Sequence, residues 1–304
     1  MGKQGEKILT EQNTDFAIKL LASQRSIYSS AKTYFYFQCV IAIPIPIIIS
    51  LIGKHYKVET EDLSWVFALY LILSGIATLF LEKHIKTLKS LAAGIQELFD
   101  CKVLEIKWNS VLIHKKPSTE LIDTSSEKFL KKNDNSKLLV WYSKNVELLT
   151  TNIATLICQS TNCTYDSSFR KKVNVRIFLI ALLTFLIILV ISLLNDLTLK
   201  SFFTNVLIPS FPIFILAWKQ YIANDENLED LIVTSNKIES ILSHSHLSTE
   251  VNTIEIRQIQ DRIYNSRKNR NLLPDWIFFK FRNKLEKSMD YIVAEKIDDL
   301  KNHS

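Results

Sequence analysis

"IFLIALLTFLIILVISLLN", residues 177–195, runs for nineteen residues without an Asp, Glu, Lys or Arg and is apolar on every helical face. A helix on the surface of a soluble protein keeps a polar stripe, so this one demands a different solvent. Three more windows are equally free of charge: Thr33 to Gly53 (21 residues), Leu63 to Leu81 (19) and Ser201 to Trp218 (18). At about 1.5 Å of rise per residue, each comes close to the roughly 30 Å of hydrocarbon in a bilayer. The windows fall into two pairs, joined by "KHYKVETED" (54–62) and "DLTLK" (196–200). The expectation is an all-α membrane protein with four transmembrane helices in two hairpins and a mostly helical cytoplasmic domain.

Charge orients the hairpins. Of the 37 Lys and Arg, 5 lie in residues 1–33, 16 in 82–176 and 13 in 219–304, against 2 and 1 in the short connecting loops. The positive-inside rule then places the N-terminus, the central segment and the C-terminus in the cytoplasm. The expected organisation is a cytoplasmic N-terminal helix (1–33), hairpin 1 (34–81, spans 34–52 and 63–81) and a central cytoplasmic domain (82–174). Hairpin 2 (175–218, spans 175–195 and 201–218) and a C-terminal helical region (219–304) complete it. Tyr34, Tyr36, Trp65 and Trp218 stand at span ends, where aromatic side chains suit the headgroup layer. The formal charge of +6 is accounted for in part by this topology and is no argument for a DNA or RNA polymer as partner.

The N-terminus "MGKQGEKILTEQNTDF" has no apolar h-region, so it is not read as a signal peptide. Glu6 stands where a myristoylation motif wants Ser or Thr. Three cysteines, Cys101, Cys158 and Cys163, fall in predicted cytoplasmic parts and one, Cys39, in a span, so reduced thiols are the default.

From about Thr14 a helix runs into the first span. Phe16, Leu20, Ile27 and Ala31 form its apolar side, and Arg25, Tyr28 and Lys32 form another side, either solvated or a binding surface. Prolines at 44, 46, 209 and 212 within the first and fourth spans read equally as hinges or as static packing features. The spans hold no ionisable residue at mid-depth, which argues against a transporter. In the central segment the pattern predicts a helix over "EKHIKTLKSLAAGIQELFD", an extended run "KVLEIKWN", a helix from Pro117 and another through 145–157. Near the C-terminus Ile256, Ile259 and Ile263 form an apolar edge. Arg257, Gln260, Tyr264 and Arg267 form a second side, fit for an anionic, stackable ligand or for an ordinary helix–helix contact.

No glycine-rich phosphate loop, H-E-x-x-H, G-x-S-x-G or kinase signature occurs. Cys158 and Cys163 have no accompanying set of four zinc ligands, so no metal site and no cofactor are expected. Nothing forms a catalytic constellation, and the chain is read as a membrane protein that binds something.

Several stretches resemble the SMODS-associated four-transmembrane effector family: "LLASQRSIYSSAK" (20–32), "IQELFDCKVLEIKWN" (95–109), "VWYSKNVELL" (140–149), "CQSTNCTYDSSFRKK" (158–172), "RQIQDRIYNSRKNRNLLPDWIF" (257–278) and "RNKLEKSM" (282–289). The resemblance covers nearly the whole chain. It implies an effector of bacterial anti-phage defence in which a cyclic oligonucleotide, made on infection, is bound by the cytoplasmic part while the spans permeabilise the inner membrane.

For such a ligand Arg25, Arg257, Arg262 and Arg267 are candidate phosphate partners, Gln260 a polar contact, and Tyr28, Trp108, Tyr142, Tyr264 and Trp276 candidate stacking partners. Cys158, Gln159, Thr161, Asn162, Cys163, Asp166 and Arg170 are read as a polar corner coupling the cytoplasmic domain to the spans. A homo-oligomer in the bacterial inner membrane is expected, because four apolar helices with no polar lining need several subunits to form a path. The rival expectation is a membrane-anchored scaffold that binds a protein partner and forms no pore.

Overall fold

A computed structural model describes residues 4–42, 44–46, 48–49, 60–194, 198, 202–203, 207–245, 251–272 and 289–301. Among them no strand occurs, and every regular element is helical. Its elements are α1 (Gln4–Glu11), α2 (Asp15–Ala42), α3 (Thr60–Val103), α4 (Thr119–Leu130), two 3-10 turns (Asn135–Leu138 and Lys144–Leu148), α5 (Thr151–Leu194), α6 (Ile208–Leu242) and α7 (Thr253–Asn269). A further helix covers 289–301.

Helix α5 runs for 44 residues with no Pro to break it. Helix α3 is equally long. Shorter helices are fixed by their caps. The Ser118 side chain accepts from the Leu121 backbone N–H at 3.3 Å. Asn252 does the same for Ile254 at 2.9 Å, and Arg267 and Lys268 sit in the last turn of α7, where the macrodipole favours cations.

Two antiparallel pairs organise the molecule. In the first, the Tyr34 ring meets His84 edge-on at 4.4 Å, Gln38 donates to Glu82 at 3.3 Å, and the Tyr70 hydroxyl donates to the Ile41 carbonyl. In the second, Asn174 donates to Asp225 at 3.1 Å, Phe178 packs on Tyr221 and Phe185 on Phe214. These three contacts hold one register along α5 and α6. Helix α7 packs against α3, α5 and α6 and ties the pairs together.

The soluble ends enclose one core that includes Leu20, Ile95, Phe99, Leu138, Ile153 and Ile259. Gly5 is required where α1 meets the second 3-10 turn, since a Cβ there would overlap the Val146 carbonyl. The other ends are inverted: Leu69, Ile72, Leu73, Leu79 and Phe80 on α3, and Phe178, Leu179, Ile180, Leu183 and Ile187 on α5, are all exposed. By length and composition one helix among the described residues, within Trp65–Val103, can cross a membrane, and only 6% of its apolar window is buried. The windows 33–53 and 201–218 lie partly outside the described residues.

Several expectations change. Residues 102–109 are not an extended run: α3 continues through Val103, and Glu105 then takes a left-handed φ of 55°. The helix expected from Pro117 starts at Thr119, because Ser118 serves as the cap. The helix expected through 145–157 is a 3-10 turn followed by α5 from Thr151. The side of α2 carrying Tyr28 is not solvated. Helices α3, α4 and α6 all pack against α2, so Tyr28 is buried while Phe16 is 38% exposed. Pro212 lies inside α6.

Candidate functional site

At the centre of the soluble bundle α3 presents Glu97 and Asp100, one helical turn apart and both fully buried. Isolated carboxylates in that position are very costly, so donors must surround them. Helix α7 supplies most of those donors. Arg267 forms a buried ion pair and hydrogen bond to Asp100. Gln260 donates to both carboxylates at 2.8 Å. Arg257 reaches Glu97 at 2.7 Å, Asp261 at 2.8 Å and the Lys107 carbonyl at 2.8 Å. The Tyr142 hydroxyl donates to the second oxygen of Asp100 at 2.8 Å.

Tyr142 is held there by the junction of α1 and α2. Its backbone N–H donates to Gln12 at 2.7 Å, and Gln12 donates back to its carbonyl at 3.4 Å. Asn13 accepts from the N–H of Val140, whose φ of 52° is strained for a β-branched residue. Helix α5 closes the cluster from a third side. Gln159 donates to Gln260 and to the Ile256 carbonyl, both at 3.0 Å, and Asn162 donates to the Tyr142 hydroxyl at 3.3 Å.

Charge in this cluster is balanced locally. Burial, with a further push from Asp100, lifts the Glu97 carboxyl above the ordinary glutamate range despite Arg257. Burial alone would lower Arg267, but the Asp100 carboxylate outweighs it and keeps the guanidinium charged. Burial pushes the Cys163 thiol up to about 12 and also raises Cys158 and Cys101, so none of the three is a thiolate at neutral pH. Cys158 and Cys163 are small buried core groups. No group of three metal-ligating side chains is found among the described residues.

The structure therefore gathers Tyr142, Arg257, Gln260 and Arg267 of the candidate ligand residues into one buried network. Tyr28 adjoins it: its hydroxyl donates to the Arg267 carbonyl at 3.3 Å, and the Arg270 guanidinium lies 4.0 Å over its ring. Tyr264 is buried beside Ala93 and Ile113. Trp108 packs against that small cluster, donates to the Ile113 carbonyl and carries Lys116 at 5.6 Å over its ring. Arg25 lies 5.7 Å over Trp141, and Arg262 is exposed. Trp276 lies outside the described residues.

The candidate coupling residues form a stripe along α5 rather than one corner. Gln159 faces α7, and Asn162 faces Tyr142. The Thr161 hydroxyl donates to its own helix at Ile157, 2.8 Å away. Asp166 pairs with Arg170 at 3.1 Å, and Arg170, 1% exposed, donates to Asn224 of α6 at 2.9 Å while Asn224 returns a bond of 3.2 Å to the Arg170 carbonyl. Lys89 of α3 caps the end of α7 by donating to the Arg270 carbonyl at 2.9 Å. Burial, with Arg270 and Arg170 nearby, pulls its ammonium down to about 8.

Sequence reasoning missed the acids and amides that complete these sites: Glu97, Asp100, Asn224 and Asn227, the last donating to the Ser266 carbonyl at 2.8 Å. A signal for the first two did exist. Ala93, Glu97 and Asp100 share one side of α3 at spacings of four and three, and Ala93 is buried.

Helices that turn apolar faces outward at one end and enclose a polar core at the other define a membrane protein with a soluble helical bundle. The chain belongs to the family of the SMODS-associating 4TM effector domain, whose profile matches residues 6–296. It is also similar to a protein of Bacillus cereus (strain VD146) described as "Probable CBASS effector molecule", 26% identical over 294 residues, covering 93% of this chain and 95% of that one. No solved structure matches it.

Proposed function

We propose that this protein is a four-span, non-enzymatic effector of CBASS-type anti-phage defence that binds a cyclic oligonucleotide in its cytoplasmic bundle and, as a homo-oligomer, permeabilises the inner membrane. Family membership and the name of the Bacillus cereus relative support this reading. The observation that carries it is continuity. Helices α3 and α5 each pass without a break from exposed apolar surface into the bundle that holds the charged cluster. A change in how α7 sits against α3 and α5 is thereby felt in both apolar segments.

In the state described, Arg257 and Arg267 are already neutralised by Glu97 and Asp100. A phosphate that engages them must displace a carboxylate, and such an exchange would loosen α7 from α3. The exposed Arg262 is a first contact that needs no such exchange.

Dye release from liposomes containing the full-length protein, with a panel of cyclic di- and trinucleotides and their linear counterparts, tests the proposal. Release with one cyclic species and not its linear form is the expected result. Silence across the panel from correctly inserted protein overturns it in favour of a membrane-anchored scaffold.

A further inference from the structure

Between α5 and α6, where the exposed apolar surface of the second pair begins, lies an open groove of about 300 Å³, whose lining includes Lys171, Asn174, Val175, Phe178, Tyr221 and Asp225. One wall carries a cation and the other an anion, both exposed, and no ion pair joins Lys171 to Asp225. Asn174 sits between them. It is 6% exposed and donates to Asp225 at 3.1 Å, while its own Oδ1 is buried without a hydrogen-bond partner. The aromatic side is continuous: Phe178 lies 6.4 Å from Tyr221, and Tyr221 stacks on Trp218 at 6.2 Å and 17°.

The geometry points to a binding site for the headgroup of an aminophospholipid, a phosphodiester joined to a primary ammonium, with phosphatidylethanolamine as the fitting occupant. Lys171 meets the phosphate. The ammonium, with three N–H donors, meets the exposed Asp225 carboxylate beside the Tyr221 ring, and Asn174 holds that carboxylate in place from beneath through its own hydrogen bond. The acyl chains continue along Val175 and Phe178, which are 59% and 57% exposed.

The same arrangement disfavours other lipids. Phosphatidylglycerol brings an anionic headgroup with no cation to answer Asp225. Phosphatidylcholine has a quaternary ammonium that satisfies the rings but donates no hydrogen bond to Asp225. The inference rests on the reading of α5 and α6 as bilayer-spanning and does not depend on the nucleotide signal.

The test incubates detergent-purified full-length protein with equimolar dioleoyl phosphatidylethanolamine, phosphatidylglycerol and phosphatidylcholine and counts retained lipid by native mass spectrometry. Phosphatidylethanolamine should exceed each of the others by roughly tenfold, the scale of one charge-assisted hydrogen bond. Asp225→Asn keeps the acceptor used by Asn174 and should abolish the preference over phosphatidylglycerol. Lys171→Met keeps the side-chain stem and should reduce retention of all three. Equal retention by the wild-type protein, or a preference that survives in Asp225→Asn, overturns the proposal. Extraction of the protein from membranes by alkaline carbonate is a separate outcome that overturns the spanning reading, so the two failures are distinguishable.

Discussion

The two ends of α3 follow opposite rules. Towards Val103 the helix hides its acids, with Glu97 and Asp100 fully buried, whereas towards Trp65 it displays its hydrocarbon, with Leu69, Leu73 and Phe80 more than half exposed. A single helix can do both only if its two halves meet different solvents. In water, burying apolar surface drives packing and a buried charge must be paired. In hydrocarbon, an outward leucine costs nothing and an outward charge is excluded. The lesson is that a side chain's exposure has no meaning until the medium around it is known.

The largest test of this contrast falls on the buried cluster. Arg267→Met leaves Asp100 without its cation and should cost about 3–5 kcal/mol, the usual penalty for orphaning one member of a buried ion pair. Thermal unfolding in detergent reads the loss, and Asp100→Asn combined with Arg267→Met should recover part of it. An unchanged midpoint for Arg267→Met would show that the cluster does not hold α7 to α3.

A somewhat smaller effect belongs to the other end of the helix. Leu73→Asp places a charge on the exposed apolar face, at about 2.5–3.5 kcal/mol on insertion scales, and should shift protein from the carbonate-resistant membrane fraction. Val111→Asp is the control, because Val111 is 84% exposed in the loop after α3 and lies beyond the apolar segment. If the two variants behave alike, the inversion along α3 is not a change of solvent.

The smallest effect concerns protons. Because burial holds Glu97 above its ordinary value of 4.5, the folded chain keeps a proton that the unfolded chain has lost over the window from 4.5 up to the raised value. Stability should therefore fall as pH rises through that window, by at most about 1.4 kcal/mol per pH unit from this one group. Glu97→Gln cannot titrate, and its melting temperature should vary less with pH than that of the wild-type protein. Parallel pH profiles for the two proteins would remove Glu97 as the source.

How much of this was legible in the sequence follows from the range of each interaction. The apolar segments announce themselves because the absence of charge over nineteen residues is a local fact, as in 177–195. The helical character of α5 and α7 is local as well. The side of α7 carrying Arg257, Gln260 and Arg267 was visible from spacing, yet its partners were not, because Asp100 stands 167 residues before Arg267 and "QELFD" reads like any amphipathic surface turn. The same holds for Arg170, which the sequence places in the polar coupling stretch but whose partner Asn224 stands 54 residues further on. The packing of α6 buries Arg170 against Asn224 and leaves Lys171 exposed. Short segments suffered differently: the turn at Val140 depends on Asn13, which sequence distance hides.

The unbroken length of α3 and α5 sets a mechanical ratio. Each has 44 residues and so measures about 66 Å, roughly twice the thickness of the hydrocarbon layer. Treated as a stiff lever pivoting at its soluble tip, such a rod swings its far end by about 6 Å for a tilt of about 5°. A displacement of ångström size among Asp100, Gln260 and Arg267 is thus geared up to the width of a side chain at the far end of the rod.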